Sequence, residues 1–296
     1  MGKALCDAFP VCRATLAEAD AALGESLSAI CFDGPEERLM LTENTQPAIL
    51  AVSIAACRFL ASRGITPALV AGHSLGEYSA NVAAGTFAFA DALRTVRRRG
   101  RYMQEAVPVG TGAMSAILGL DAEAVARACE EAAQGDVVSP ANLNGGGQVV
   151  IAGSRDAVAR AGERAKTLGA RRVVPLPVSA PFHCALMKPA EERLAPDLRA
   201  LATHDPGVPI VANIDAELKR DARAAIDALV AQVSGPVRWE AVVRRLASEG
   251  VTTYVEVGPG AVLTGLVKKI QRDATCVNFG RPEDLEAIDQ QVGRTV

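Results

Sequence analysis

One serine stands between two glycines where a short apolar run meets an alanine-rich amphipathic run. The segment is Gly72-His73-Ser74-Leu75-Gly76, with the apolar run at 68–71 and the amphipathic run at 77–84. These patterns predict a buried strand, a tight turn and a helix. A G-x-S-x-G motif in that order is typical of a nucleophile elbow, which presents its serine at the positive end of a helix beside free backbone N–H groups. The alternative is an ordinary Gly/Ser turn in a βα unit.

A serine nucleophile needs an imidazole to take its proton, and the chain has three histidines. His73 belongs to the elbow itself, and His204 lies in a polar stretch. His183 lies in a loop-like segment, Val178-Ser179-Ala180-Pro181-Phe182-His183-Cys184. It is therefore a candidate general base, and a histidine hydrogen-bonded within its loop is the alternative. Cys184 has no elbow around it, which favours a small buried thiol.

A run of arginines follows the elbow on a predicted helix over 87–105. Most such runs form a solvated face. At 3.6 residues per turn, however, arginines at four of five consecutive positions cannot share one face, so at least one is expected to turn inward and to need an anion there. A substrate carboxylate or phosphate is the candidate anion. The run comprises Arg94, Arg97, Arg98, Arg99 and Arg101.

Alternating strand and helix patterns on both sides of the chain's middle, with a strand over 208–214 among them, predict a largely parallel sheet covered on both faces. The polar stretch from 272 onward predicts no element. Between them, residues 113–178 follow the order β-α-β-β-α-β, with the first helix over 122–133 and an Asn-Gly-Gly-Gly turn at 144–147. This is the order of a ferredoxin-like unit. We therefore predict an α/β fold with a large subdomain over 1–108 and 179–296, and a small subdomain inserted at 109–178. The cleft between them is a common place for a substrate site.

Composition excludes several classes of protein. The chain has 296 residues, of which 49% are hydrophobic and 4% aromatic, and its formal net charge is −3. These values argue against disorder and against nucleic-acid binding. Seven scattered cysteines favour reduced thiols over a disulfide framework or a metal site. The start lacks a signal-peptide pattern, and the most apolar stretch, 48–60, is short and contains Arg58, so we expect a cytoplasmic protein without membrane contact.

Taken together, the motifs give the chain a close resemblance to the malonyl-CoA:acyl-carrier-protein transacylases of bacterial fatty-acid synthesis, and more broadly to the acyltransferase domains of polyketide synthases. The resemblance extends along nearly the whole chain. It implies a hydrolase-like α/β large subdomain with a ferredoxin-like insertion. The motifs that carry it are Gly72-His73-Ser74-Leu75-Gly76-Glu77-Tyr78-Ser79, Arg99-Gly100-Arg101-Tyr102-Met103-Gln104, Gly112-Ala113-Met114, Gln148-Val149-Val150-Ile151-Ala152-Gly153, His183-Cys184-Ala185-Leu186-Met187 and Glu256-Val257-Gly258-Pro259-Gly260.

The resemblance also implies roles for single residues. Ser74 would carry the malonyl group as an ester in a ping-pong reaction, with His183 as its base and acid. The backbone carbonyl of Gln232 would orient His183, in place of a carboxylate. The resemblance further implies three binding roles, namely a malonyl carboxylate site at Arg99, an oxyanion N–H at Leu75, and selection of acyl size at Phe182. The implied substrates and partners are malonyl-CoA and the phosphopantetheine thiol of acyl carrier protein, with no cofactor and no metal.

One departure from the family pattern concerns the start of the sequence. The family begins with a strand and a Gly-Gln-Gly-x-Gln loop that supplies a second oxyanion N–H, and Met1-Gly2 matches the segment just after that loop. Loss of one such donor typically costs about a hundredfold in turnover. We therefore expect a chain extended by that segment to be more soluble and more active. Two alternatives to the transacylase stay open. One is a serine esterase or thioesterase, and the other is a truncated, weak enzyme that still binds carrier protein.

Overall fold

The computed structural model describes residues 1–292 as a mixed α/β fold. Most residues in 1–108 and 179–292, which we call the large part of the chain, are helical. Short 3₁₀ turns occur at Ala185–Met187 and Pro282–Asp284. In chain order the described α-helices are α1 Lys3–Ala8, α2 Pro10–Leu23, α3 Leu27–Asp33, α4 Glu36–Met40, α5 Thr42–Ser62, α6 Gly76–Ala83, α7 Phe89–Glu105, α8 Ala122–Ala133, α9 Arg155–Thr167, α10 Lys188–Arg199, α11 Ala222–Gln232, α12 Trp239–Ser248, α13 Val262–Ile270 and α14 Leu285–Gln291.

The strands of the described residues form three separate sheets. Their order is β1-β6-β7, β3-β4-β2-β5 and β8-β9. The strands are β1 Val70–Ala71, β2 Gly112–Leu118, β3 Val138–Gly145, β4 Gln148–Ser154, β5 Arg172–Pro175, β6 Ile210–Val211, β7 Leu218–Lys219, β8 Thr253–Val257 and β9 Thr275–Phe279.

The parallel pairing expected in the large part of the chain is present, but it is divided between two sheets. β1 pairs with β6 in parallel, and β8 pairs with β9 in parallel. Each of β1 and β6 has only two residues in its ladder, so the strand predicted over 208–214 is shorter than its apolar pattern. The strand before the elbow was expected to be buried, and that prediction was wrong, because both residues of β1 are half-buried and, within residues 1–292, β6 is its only strand partner.

The polar stretch after 272, from which no element was predicted, contains β9 and α14. β9 pairs with β8 along all five of its residues, from Thr253↔Thr275 to Val257↔Phe279. Its Phe279 is fully buried and stacks on Phe59, with ring centroids 5.3 Å apart. The sequence of β9 therefore does alternate between buried apolar and less buried residues, but the polar residues on either side make this pattern hard to detect.

The middle of the chain forms the β-α-β-β-α-β unit that its pattern predicts. β2, α8, β3, β4, α9 and β5 follow in that order, and all three strand pairings are antiparallel. α8 and α9 cover one face of this sheet, where Ile117, Val125, Val149 and Val158 share a core. The turn between β3 and β4 has positive φ at Gly145, Gly146 and Gly147, a conformation that favours glycine.

The other face of the same sheet packs against the loop that carries His183. Met114 and Val150 of the sheet form a small core with Cys184, and Phe182 and Leu186 pack against it. This contact joins the four-stranded sheet to the large part of the molecule. It fixes the position of the segment in which a catalytic histidine was expected.

The large core gathers around α5, the central helix of the large part. α5 contacts α2 and α7 along much of its length. By length and composition it could span a membrane, but 67% of its most apolar window is buried inside the protein. The one cationic residue within α5, Arg58, forms an ion pair with Glu18, and its guanidinium carbon lies 4.9 Å from the centre of the Phe89 ring. Burial of this kind is typical of the core helix of a globular domain.

Candidate active site

The elbow holds Ser74 in a left-handed backbone conformation, with φ of 53°. A non-glycine residue with positive φ is uncommon, and it persists only where the surroundings enforce it. Gly72 makes the sharp turn possible, since a Cβ there would lie 2.0 Å from the carbonyl carbon of Gly76. Gly76 itself has open space where its own Cβ would be. The first glycine is thus the one that the close approach of strand and helix requires.

Ser74 and His183 form a hydrogen-bonded pair. The Ser74 Oγ lies 2.6 Å from the His183 Nε2, and the His183 Nδ1 lies 2.9 Å from the backbone carbonyl oxygen of Gln232. A carbonyl can only accept, so Nδ1–H donates to it and Nε2 is left to accept the serine proton. His183 also has a positive φ, 60°, and its side chain is buried.

The pKa of His183 is lowered to about 3, first by burial and then by the nearby positive charge of Arg99. The hydrogen bond to the Gln232 carbonyl acts in the opposite direction. The imidazole is therefore neutral at physiological pH. A neutral imidazole is the form that can take a proton from a serine hydroxyl.

Arg99 is the arginine of the α7 run that turns inward. It is 2% exposed, and its Nη2 lies 3.2 Å from the Ser74 Oγ. Its other acceptors are side-chain amide oxygens, with Nη1 2.7 Å from the Oε1 of Gln46 and Nη2 3.0 Å from the Oε1 of Gln232. Its Nε is buried and has no partner among residues 1–292. The guanidinium thus keeps donor capacity beside the serine hydroxyl.

The other four arginines of the run each form an ion pair with a carboxylate. Arg94 pairs with Asp91, Arg97 with Glu25, Arg98 with Asp197 and Arg101 with Glu43. Arg99 forms no such pair within the described part of the chain. Burial lowers its pKa, whereas nearby Tyr78 and Glu77 act in the opposite direction, and a buried cation that is not directly paired with a carboxylate is costly to maintain. The site therefore offers an anion a positive charge that no carboxylate of the described residues contacts directly.

The side chain of Gln232 links the elbow to a buried carboxyl group. Its Nε2 donates to the backbone oxygen of Ser74 at 2.9 Å and to the Oε2 of Glu77 at 2.8 Å. The same Glu77 oxygen accepts from the backbone N–H of Asn213 at 2.9 Å. The pKa of Glu77 is raised to about 7, chiefly by burial, and both hydrogen bonds oppose that rise.

Asn213 clamps the elbow from its other side. Its Oδ1 accepts from the backbone N–H of Ser74 at 2.7 Å, and its Nδ2 donates to the carbonyl of Gly72 at 2.7 Å. Asn213 itself is fully buried. These two bonds, with the Gln232 bond to the Ser74 carbonyl, hold the backbone on both sides of the nucleophile in its left-handed conformation.

Leu75 and Phe182 lie next to the Ser–His pair. The backbone N–H of Leu75, at the start of α6, makes no hydrogen bond to any residue in 1–292. Phe182 is half-buried and contacts both the large core and the core of the four-stranded sheet. A second contact bridges the two parts of the molecule here, since the His73 Nε2 lies 2.9 Å from the Oδ1 of Asn144. Burial lowers the pKa of His73.

Three residues of this arrangement were not predicted from the sequence. Gln46, Glu77 and Asn213 are all buried polar side chains. Each has only a weak signal in the sequence, because Gln46 directly precedes an apolar stretch, Glu77 lies in the amphipathic run after the elbow, and Asn213 follows the short strand β6. All six residues that were predicted, from Ser74 to Gln232, lie within the same region of hydrogen bonds and contacts.

An elbow serine paired with a histidine, on a mixed α/β fold with a ferredoxin-like unit, places the protein among the acyltransferase folds. The family model described as "Acyl transferase domain" matches residues 1–282. The chain belongs to that acyl transferase family.

Several named proteins are similar to this chain. It is 53% identical over 280 residues to a malonyl CoA-acyl carrier protein transacylase of Salmonella typhimurium, which covers 94% of this chain and 91% of that one. A Bacillus subtilis protein of the same name is 47% identical over 291 residues, covering 98% and 92%. An acyl carrier protein S-malonyltransferase from Vibrio cholerae has a similar structure, with TM-score 0.95, 49% identity and coverage of 97% and 94%.

A further solved structure shows such an enzyme with its partner. It is described as a type II polyketide-synthase acyl-carrier protein in complex with its malonyl-transacylase. The matching chain has TM-score 0.94 and 49% identity, and the match covers 96% of this chain and 92% of that one.

Proposed function

We propose that this protein transfers a malonyl group from malonyl-CoA to the phosphopantetheine thiol of acyl carrier protein, for fatty-acid biosynthesis in the bacterial cytoplasm. It is a transferase, an acyl-carrier-protein S-malonyltransferase. The names of its relatives support the substrate, and the carrier-protein complex of a similar enzyme supports the partner. The proposed division into a large subdomain, 1–108 and 179–296, and a small one, 109–178, follows from β2 and β5, which are the first and last strands of the four-stranded sheet in chain order.

In the first half-reaction Ser74 attacks the thioester carbonyl of malonyl-CoA. His183 accepts the hydroxyl proton at Nε2, the carbon–sulfur bond breaks, and the proton passes to the departing thiolate of CoA. In the second half-reaction His183 takes the proton of the phosphopantetheine thiol. The thiolate then attacks the carbonyl carbon of the malonyl-serine ester, the bond from that carbon to the Ser74 Oγ breaks, and His183 returns the proton to the Oγ. The 2.6 Å separation of Oγ and Nε2 supports both transfers.

Two backbone groups assist this chemistry in our proposal. The Gln232 carbonyl holds the imidazole in the tautomer whose Nε2 is free to accept, and it stabilises the positive charge that forms on the ring. The N–H of Leu75, which follows the nucleophile, donates to the oxyanion of the tetrahedral intermediate. Phe182, beside His183, limits the acyl pocket to small groups such as malonyl rather than branched ones.

The observation that carries the choice of malonyl is the position of Arg99. It is the one member of the α7 arginine run without an acidic partner among the described residues, and it contacts the nucleophilic oxygen itself. In a malonyl ester the free carboxylate lies three bonds from that oxygen, within reach of the guanidinium fork. Such forks bind carboxylates with two parallel hydrogen bonds, which lysine cannot reproduce. An esterase that acts on neutral acyl groups does not need the positive charge of Arg99 beside its nucleophile.

The substitution Arg99→Ala tests this assignment. We expect it to reduce malonyl transfer by roughly two to four orders of magnitude, since breaking a buried charge pair costs about 3–5 kcal/mol. Transfer of the uncharged acetyl group should fall far less or rise. The measurement is kcat/KM for malonyl-CoA and acetyl-CoA with the same carrier protein.

Arg101→Ala is the matched control, because Arg101 lies on the same helix but is exposed and paired with Glu43. It should leave both rates close to those of the unchanged protein. Equal losses of malonyl and acetyl transfer in Arg99→Ala would contradict the proposal and would favour the interpretation of the protein as an esterase.

A further inference from the structure

We propose that Gln46, together with the side chain of Gln232, sets the preference for a carboxylate-bearing acyl group by holding Arg99 through neutral acceptors only. The inference rests on the proposed function, in which Arg99 binds the malonyl carboxylate. It adds two positioning residues whose amide groups fix the guanidinium and leave its charge for the substrate.

Every hydrogen-bond acceptor of Arg99 among residues 1–292 is uncharged, and Glu77 acts on it electrostatically without an ion pair. The two amide oxygens of Gln46 and Gln232 accept from Nη1 and Nη2, and the Ser74 hydroxyl oxygen accepts from Nη2. The ring of Tyr78 lies with its centroid 5.4 Å from the guanidinium carbon. These acceptors orient the planar guanidinium as a carboxylate would, but they carry no negative charge to pair with it.

The position of Gln46 is itself fixed by the packing of α5 against α7. A Cβ at Gly100 would lie 2.6 Å from the Thr42 carbonyl oxygen and 2.6 Å from the Cα of Glu43, so the two helices meet backbone to backbone at this glycine. Gln46 lies one turn further along α5, and its Nε2 donates to the Thr42 hydroxyl at 3.1 Å. The amide therefore presents its oxygen, rather than its nitrogen, to the guanidinium of Arg99.

A carboxylate in place of either amide would change the site in a defined way. It would form a charge-assisted hydrogen bond with Arg99 inside the protein. A buried pair of that kind would compete with the substrate carboxylate for the same cation. Of the two glutamines, only Gln46 can be changed without disturbing the elbow, because the Gln232 amide nitrogen also donates to Ser74 and Glu77.

Gln46→Glu is therefore the test. The new carboxylate keeps an oxygen facing Arg99, and the Thr42 hydroxyl can donate to it, so no hydrogen bond is lost. We expect KM for malonyl-CoA to rise about tenfold or more and the ratio of malonyl to acetyl kcat/KM to fall accordingly. The melting temperature should equal or exceed that of the unchanged protein, because the buried cation gains a partner.

Gln291→Glu makes the same change on an exposed position of α14 and controls for added charge. The ratio of malonyl to acetyl kcat/KM should be unchanged in Gln291→Glu. A Gln46→Glu variant with an unchanged ratio, or one with a lowered melting temperature, would overturn the inference while leaving the proposed function intact. The proposed function fails by a different result, equal losses of malonyl and acetyl transfer in Arg99→Ala, measured alongside.

Discussion

At the scale of the residue, the candidate site combines a Ser–His pair with a third partner that carries no charge. The Gln232 carbonyl accepts from His183 where many serine enzymes place a carboxylate. The one buried carboxyl group near the elbow, Glu77, contacts Asn213 and the Gln232 side chain instead. Glu77 therefore acts in our account through geometry, as an acceptor that holds other residues in place.

The substitution Glu77→Gln tests that account through its dependence on pH. Both hydrogen bonds of Glu77 go to the single oxygen Oε2, so one amide oxygen can accept both. Because the pKa of Glu77 is raised from 4.5 to about 7 in the folded protein, its contribution to stability is fully present below 4.5 and is lost as pH rises through 7. Glutamine has no such loss.

The melting temperature of Glu77→Gln, relative to the unchanged protein, should therefore increase as pH rises from 4.5 to 7. The pKa of His183 is lowered from 6.5 to about 3, so its contribution falls as pH drops from 6.5 towards 3. Both proteins share that effect, and it cancels in the difference. Glu192→Gln, at an exposed position on α10, is the control. If the difference in melting temperature between Glu77→Gln and the unchanged protein does not change with pH, Glu77 is ionised in the folded protein throughout the range from pH 4.5 to 7, which would contradict its raised pKa.

At the scale of the element, the two glycines of the elbow have different roles. Gly72→Ala would force a Cβ to within 2.0–2.1 Å of the Gly76 carbonyl group, whereas a Cβ at Gly76 meets nothing within 4 Å. We therefore expect Gly72→Ala to lower the melting temperature strongly, at a cost of several kcal/mol typical of severe backbone overlap, roughly 3–5 kcal/mol. Gly76→Ala should leave the melting temperature unchanged or raise it slightly. Equal melting temperatures for the two variants would contradict the observed packing of β1 against α6.

The elements that carry chemistry were the most predictable from sequence. The turn at 72–76 has a local signature, and α8 has the bounds Ala122–Ala133 that its pattern predicts. The β-α-β-β-α-β order followed from alternating periods of two and 3.6 residues. The inward turn of one α7 arginine followed from helix geometry alone, and the resemblance to the family indicated which one.

The parts that were not predicted depend on contacts between distant positions. Gln46 lies 53 positions from Arg99, and Glu77 lies 136 from Asn213 and 155 from Gln232. No local pattern shows that such side chains are buried together. The two-residue strands β1 and β6 were likewise overestimated, because ladder length depends on the partner strand as well as on the apolar run. β9 was missed because polar residues surround it.

At the scale of the whole molecule, the site lies where the large part of the chain meets the four-stranded sheet. The His73 bond to Asn144 crosses this boundary. A second crossing joins the backbone of Val237 to Ala141 and Leu143 of β3, each at 2.8 Å. His183 sits on the loop that packs under the sheet, and Ser74 on the elbow of the large part. The reactive pair therefore depends on how the two parts are held together.

The central claim, that Ser74 carries the malonyl group between two thiols, has a direct test. The intact protein should gain the mass of one malonyl group on incubation with malonyl-CoA, fragmentation should place it on Ser74, and holo acyl carrier protein should then remove it. Ser74→Ala should gain no mass, and His183→Ala should acylate and discharge far more slowly, because both steps need proton transfer at the same oxygen. A malonyl adduct on another residue, or full transfer by Ser74→Ala, would contradict the account.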